Sequence, residues 1–476
     1  MAVFFQRKIT LVDATALVSG SMIGSGIFIV SADIARQFGS PGMMLIVWGL
    51  AAILTIIAAI VYGELSSMMP NVGGQYVYLR EAYSLLLGFL YGWGLFTVIQ
   101  IGTIAAVSMA FAKFSGVLFP IISESNIIFH VFTKPVSTVH VIALFTVVFL
   151  TLYNLQGIRQ GKALQTVFTI LKASVLLFFI IVGLFIVKNT AAIEINRSYY
   201  WDILPIYNAG HLSFFAFIST MAIAMVGALF SLDAWYNVTF ASDEVINPQR
   251  NLPRSLIGGT IIVSVIYLLT NIVYLRCIPL RGLPDVTVFF DRGIQFAVND
   301  RVGTAALQGL MGGGAASVMA VVIMISTFGC NNGIIISGAR VFYSMARDGL
   351  FFRRAGILNS RGIPQNALII QLVWSSVLCL SGSYHQLLDY VIFVVLIFLV
   401  LTCFAVIRLR KRNPDVERPY RAWGYPLTPW IFIAGALFIM VVLLVKRPSY
   451  TWPGLIIVAL GIPVYYLLLK KRAANN

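Results

Sequence analysis

The run Ile23-Gly-Ser-Gly-Ile-Phe28 sets two glycines one residue apart in the middle of an apolar stretch. Glycine admits backbone turns that side chains forbid, so a helix can open at Ile23 and Gly24 and then restart. The amides of Ser25, Gly26 and Ile27 would head the restarted half, where partial positive charge favours a carboxylate. Gly20 and Gly24 also fit the small-x-x-x-small spacing of close helix packing, so the glycines alone leave both readings open. A second apolar stretch holds Leu229-Phe-Ser-Leu-Asp-Ala-Trp235. A turn opened at Phe230 and Ser231 would free carbonyls for an ammonium group, and Phe230 could close over the bound molecule. Asp233 needs a partner, a cavity or a proton, because a carboxylate at the centre of a membrane helix costs roughly 2.5 to 3.5 kcal/mol. Lys172, inside Phe168-Thr-Ile-Leu-Lys-Ala-Ser174, lies too deep in its apolar run to reach the interface without strain. Local carbonyls could satisfy it in a structural role, or it could stand as a fixed cation beside the opened first stretch.

These residues must be positioned by helices in a bilayer. The chain is 59% hydrophobic and 11% charged, with a mean hydropathy of +0.91, against about 25% charged in soluble domains. A hydrocarbon core of about 30 Å takes roughly 20 apolar residues per helix. Apolar windows predict spans over 11–35, 43–68, 83–112, 138–156, 163–187, 212–242, 254–278, 307–345, 364–382, 386–408, 427–445 and 452–469. The expected fold is therefore an all-α polytopic membrane protein of about twelve helices, in one domain over 1–476. Spans one and six are the interrupted ones, which suggests repeats of five spans over 11–187 and 212–408, followed by two additional helices over 427–469. Matched interrupted spans in two halves are the sequence signature of a transporter's midplane site.

The net charge of +16 does not indicate a nucleic-acid partner, because the basic residues cluster in short loops between apolar runs. About 21 of the 33 Lys and Arg fall on the side holding both termini, which places both termini in the cytoplasm of a cell (plasma or inner) membrane protein. Arg7 and Lys8 precede a stretch too long for a signal peptide, so the first span is expected to be retained. Cys277, Cys330, Cys379 and Cys403 have no paired spacing, and no metal or cofactor site is expected. H-E-x-x-H, the Walker A pattern and G-x-S-x-G are absent, and Gly24 and Gly26 lack the third glycine and the preceding strand of a dinucleotide fingerprint, so an enzyme is not expected. Asn71 to Tyr78 reads as a tight turn between spans, Glu64 as scaffolding, and 243–254 as a capped loop or a gate of ion pairs.

Read in order, Ile23 to Phe28, Tyr62-Gly-Glu-Leu65, Pro70-Asn-Val-Gly-Gly-Gln-Tyr-Val-Tyr78, Phe230 to Trp235, Asp243 to Arg254 and Asn413-Pro-Asp-Val-Glu-Arg-Pro-Tyr420 resemble the amino acid-polyamine-organocation (APC) superfamily permeases. The L-type amino acid transporter branch is the most similar, over nearly the whole chain. The resemblance implies a leucine-transporter-type 5+5 inverted repeat with discontinuous helices 1 and 6, and α-amino acid binding at Ile23, Gly24, Ser25, Gly26, Ile27, Phe230, Ser231 and Asp233. It implies Phe230 as a gate, and Lys172 in the place that sodium occupies elsewhere, hence a sodium-independent exchanger working by alternating access. A proton-coupled symporter and an amino acid sensor of the same fold stay open. No cysteine lies between Phe114 and Val136, so the disulfide that ties animal members to a heavy chain is not expected. The tenth span is apolar from Val391 to Val400, which suits neutral amino acids.

Overall fold

The computed structural model describes residues 7–131, 134–186, 189–206, 213–312, 314–381 and 384–474. In chain order its main helices are α1 (Leu11–Met22), α2 (Gly26–Phe38), α3 (Pro41–Met68), α4 (Gln75–Ala82), α5 (Leu85–Leu118), α6 (Thr138–Asn154), α7 (Ile158–Ile181) and α8 (Thr190–Ser198). There follow α9 (Phe214–Ser231), α10 (Pro248–Cys277), α11 (Val302–Met311), α12 (Ala315–Arg347), α13 (Gln365–Ser381), α14 (Tyr384–Arg412), α15 (Leu427–Lys446) and α16 (Pro448–Ala474). Among the described residues nine segments are long and apolar enough to cross a membrane, and the bent pair α1 and α2 makes ten. The shorter apolar helices α6 and α13 occupy the remaining two predicted windows. The expected ends at 187, 212 and 382 lie outside the described residues.

Local chemistry sets the boundaries. Thr10 caps α1, its hydroxyl taking the Asp13 amide while the Asp13 carboxylate takes the Thr10 amide at 2.9 Å. Gly39, at φ 60°, ends α2 in a left-handed turn, and Ser40 followed by Pro41 restarts the chain as α3.

Three expectations need correction. The window 307–345 holds two helices, because Gly312 at φ 79° ends α11 before α12 begins. Asn71 to Tyr78 is a turn only as far as Gly74; Gln75 onward is helical. Residues 248–254 open α10, since Pro248 at its first position needs no amide partner. The fold is all-α as expected, and a short antiparallel hairpin, β1 (Ile127–Val131) with β2 (Lys134–Ser137), sits in the loop before α6.

At the basic end, ion pairs tie helices together, two of them on the buried carboxylates of Glu64 and Glu244. Glu64, read as scaffolding, is fully buried and takes Arg410 through both oxygens at 2.8 and 2.6 Å, together with the Ala422 amide at 2.7 Å. That carboxylate joins α3 to α14 and to the loop after it. Glu244 pairs with Arg340 of α12 at 2.5 Å, and its carbonyl accepts the Lys8 and Ile9 amides at 2.8 Å. The 243–254 run is thus an ion-pair latch at its start and a helix at its end. Asp348 likewise accepts Arg80 and, at 2.6 Å, the Tyr76 hydroxyl.

Candidate functional site

An α-helix leaves its last four carbonyls without intrahelical donors, and α1 ends buried among the other helices, where each needs another partner. The structure supplies them one by one. The Ser19 carbonyl accepts the Ile23 amide, and the Gly20 carbonyl accepts Lys172 Nζ. Cys330 Sγ donates to the Ser21 carbonyl at 2.9 Å, and the Tyr267 hydroxyl donates to that of Met22 at 3.0 Å. In the break itself, Lys172 Nζ donates to the Ile23 carbonyl at 2.7 Å, and Ser326 Oγ reaches the Ile23 and Gly24 carbonyls at 3.1 and 3.2 Å. The helix therefore opens over Ile23, Gly24 and Ser25 and bends by 43°, held by α7, α10 and α12.

Lys172 is 1% exposed. Its ammonium sits among backbone carbonyls, a donor set suited to a bound cation, and it braces the break at the same time. The structural and the electrostatic readings of this lysine thus describe one contact set.

The restarted helix α2 presents the other polarity. Gly26 and Ile27 lie in its first turn, where amides have no intrahelical acceptor and the dipole is positive. Phe28 is already bonded, to the Ser25 carbonyl at 3.0 Å. A side chain at Gly26 would strike Ser231, with Ser231 Cβ at 2.7 Å and Cα at 3.0 Å from an added Cβ, so glycine is what lets α2 and α9 touch. The two interrupted stretches are in direct contact at that point.

The second break differs from its expected position. The Leu232 amide still reaches the Ala228 carbonyl at 3.0 Å, and Ser231 Oγ donates to the Gly227 carbonyl at 2.8 Å, so Phe230 and Ser231 close the last turn of α9. The chain turns over Leu232 to Ala234, the latter left-handed at φ 65°, and continues as a 3₁₀ segment, Trp235–Glu244. The Phe230 carbonyl is not free, because it accepts the Asp233 amide at 3.1 Å.

Asp233 lies inside this turn, 8% exposed, beside the hydroxyl-bearing rings of Tyr91 and Tyr236. It makes no ion pair among the described residues. Tyr62, on α3 like Glu64, packs edge-on against Trp235 at 5.0 Å and Tyr78 at 5.6 Å. Tyr91 meets Phe398 of α14 at 5.3 Å, and Val391 to Leu396 are buried apolar residues.

Ile23, Gly24, Ser25, Gly26, Ile27, Phe230, Ser231, Asp233 and Lys172 are all buried around these two breaks. The residues missed from sequence are the supports: Tyr267 and Tyr274 on α10, the latter donating to the Ile27 carbonyl at 3.3 Å, and Ser326 and Cys330 on α12. Their seven- and four-residue spacings place each pair on one helix face, which was readable, but which face met the break was not. No group of three or more His, Cys, Asp or Glu suited to a metal ion forms among the described residues. Chemically, the arrangement offers positive helix-end amides, a carbonyl-rich turn with a carboxylate beside it, and an apolar wall.

A family model described as amino acid permease matches residues 9–468. The chain is 28% identical over 472 residues to the serine/threonine exchanger SteT of Bacillus subtilis, covering 98% of each chain. It is 27% identical over 466 residues to Asc-type amino acid transporter 1 of Mus musculus, covering 98% of this chain and 82% of that one. With large neutral amino acids transporter small subunit 2 of Homo sapiens it shares 27% identity over 466 residues, covering 98% and 81%.

Proposed function

The chain belongs to the amino acid permease family of the APC superfamily, multi-pass membrane transporters and not enzymes, and on that premise we propose that it is a sodium-independent exchanger of neutral L-amino acids. The observation that carries this reading is the contact of Gly26, at the start of α2, with Ser231, at the end of α9, which brings the two breaks side by side. The α-carboxylate of the substrate lies on the amides of Ser25, Gly26 and Ile27, where helix-end charge stabilises it. The α-ammonium faces the turn after Phe230 and Ser231 with the Asp233 carboxylate, and Phe230 closes over it. Lys172 stands where a coupling sodium ion would otherwise neutralise the carbonyls of Gly20 and Ile23. The apolar lining from α14 favours neutral side chains, since a buried unpaired charge is costly.

In this reading 11–187 and 212–408 are the two inverted repeats that rock past each other, and both termini are cytoplasmic in the cell membrane. The substrate is an amino acid and the bilayer is the solvent. One relative bears the name small subunit, but this chain works without a disulfide-linked heavy chain: its four cysteines are buried and free, and none lies between Phe114 and Val136.

Proteoliposomes preloaded with unlabelled amino acids should take up labelled substrate at least about tenfold faster than empty ones in sodium-free buffer, a ratio of roughly 1.4 kcal/mol in apparent barrier. Equal rates would reject exchange. Asp233, buried and without an ion-pair partner among the described residues, favours proton-coupled symport as a second reading. An inward proton gradient that drives accumulation into empty vesicles, and fails to do so in Asp233→Asn, would establish that alternative.

A further inference from the structure

At the basic end of the molecule Arg340 pairs with Glu244, Arg410 with Glu64 and Arg80 with Asp348. Arg250 and Arg254 differ from these three. They stand one turn apart on the first turns of α10, exposed, and their side chains make no ion pair or hydrogen bond among the described residues. They line a groove of about 810 Å³ together with Ile257, Gly258, Pro419 and Tyr420, and no carboxylate lines it.

The far wall is fixed. The Tyr420 amide and carbonyl both bond Ser67 Oγ, at 3.3 and 3.4 Å, and the Tyr420 ring lies against Gly63. At its near wall, Pro253 has no N–H, so the Gln249 carbonyl that faces it in the helix loses its usual donor. Gly258 leaves the groove open, because an added Cβ there meets nothing within 4 Å. Beyond Gly258 the same helix exposes Ile261, Ile262 and Val265 as a continuous apolar strip.

We propose that this groove binds an anionic phospholipid, its phosphodiester on Arg250 and Arg254 and an acyl chain along Ile257, Ile261 and Val265. Guanidinium forks match phosphate oxygens, and basic pockets between membrane helices collect anionic headgroups at the interface. A soluble phosphate would use the two arginines but leave the apolar strip uncovered; the lipid uses both. The bound lipid joins α10 to the loop that the Glu64 carboxylate anchors, so occupancy couples bilayer composition to the packing of that helix.

The test uses the full-length protein in detergent, incubated with phosphatidylglycerol or phosphatidylcholine of the same acyl chains, with retained lipid measured by native mass spectrometry. Wild type should retain phosphatidylglycerol in about 30-fold preference, the equivalent of about 1 kcal/mol per arginine. The double variant Arg250→Gln, Arg254→Gln should lose that preference. Gly258→Leu, whose Cβ meets no protein atom within 4 Å and which suits a helix, should reduce retention of both lipids there while leaving the unfolding temperature in detergent unchanged. Equal retention of the two lipids by wild type, or unchanged preference in both variants, would overturn the proposal. So would displacement of the lipid by glycerol 3-phosphate at equal concentration, which would make the groove a site for a soluble phosphate.

Discussion

Lys172→Ala should lower counterflow by roughly 10- to 100-fold at equal amounts of protein in the membrane. The ammonium bonds the carbonyls of Gly20 and Ile23 from a position 1% exposed. Hydrogen bonds to a charged group contribute about 1.5 to 3 kcal/mol each, and no water replaces the donor without opening the packing between α1 and α7. The Ser326 hydroxyl still reaches Ile23 and Gly24, so the break persists, but without fixed charge beside it. Lys172→Gln separates the two roles, since it keeps a donor and drops the charge: a purely structural lysine would be largely rescued, an electrostatic one would not. Counterflow at the wild-type rate in Lys172→Ala would remove this residue from the account.

Gly26→Ala should be as damaging, with at least about a tenfold loss of apparent substrate affinity. One methyl group at position 26 meets the Ser231 side chain and stands 3.0 Å from the Ser231 Cα, part of the backbone of α9. Overpacking of this kind typically costs about 1 to 3 kcal/mol, and here the strain falls on the amides of Gly26 and Ile27 rather than on a remote core. Adding Ser231→Gly removes the clashing Cβ and Oγ but not the Cα, so the double variant should recover part of the affinity. Full binding in Gly26→Ala, measured by counterflow at graded substrate concentrations, would mean that α2 and α9 do not meet at that contact in the working protein.

The twelve hydrophobic segments were legible because a bilayer demands a length and a composition, and both are written linearly in the chain. Gly24 and Gly26 marked the first break within a residue, since the backbone freedom needed there is a property of glycine itself. Lys172 stood out for the same reason: a charge in an apolar run has to be answered by something. What answered it was not legible, because the partners are carbonyls, which every residue carries. The second break was misplaced by about two residues. It turns at Ala234, a left-handed position that the residue type does not announce, and the helix-extending bonds of Leu232 and Ser231 depend on tertiary packing. The Glu64 and Arg410 pair, 346 positions apart, and the supporting Tyr267 and Ser326 required the fold itself. Gly312, which divides the predicted eighth span, was a glycine overlooked inside a long apolar window.

In the proposed mechanism the two breaks read the backbone of an amino acid, its carboxylate at Gly26 and its ammonium at the turn after Ser231. A competition series against counterflow of the best substrate from a panel of common amino acids tests it most directly. The competitors are the parent amino acid, its methyl ester, its N-acetyl derivative and its decarboxylated amine. The parent should compete, and each of the three derivatives should be weaker by about 100-fold or more, because each removes a charge or donor whose buried partner is then left unmatched. An ester, acetyl derivative or amine that competes as well as the parent would contradict the account.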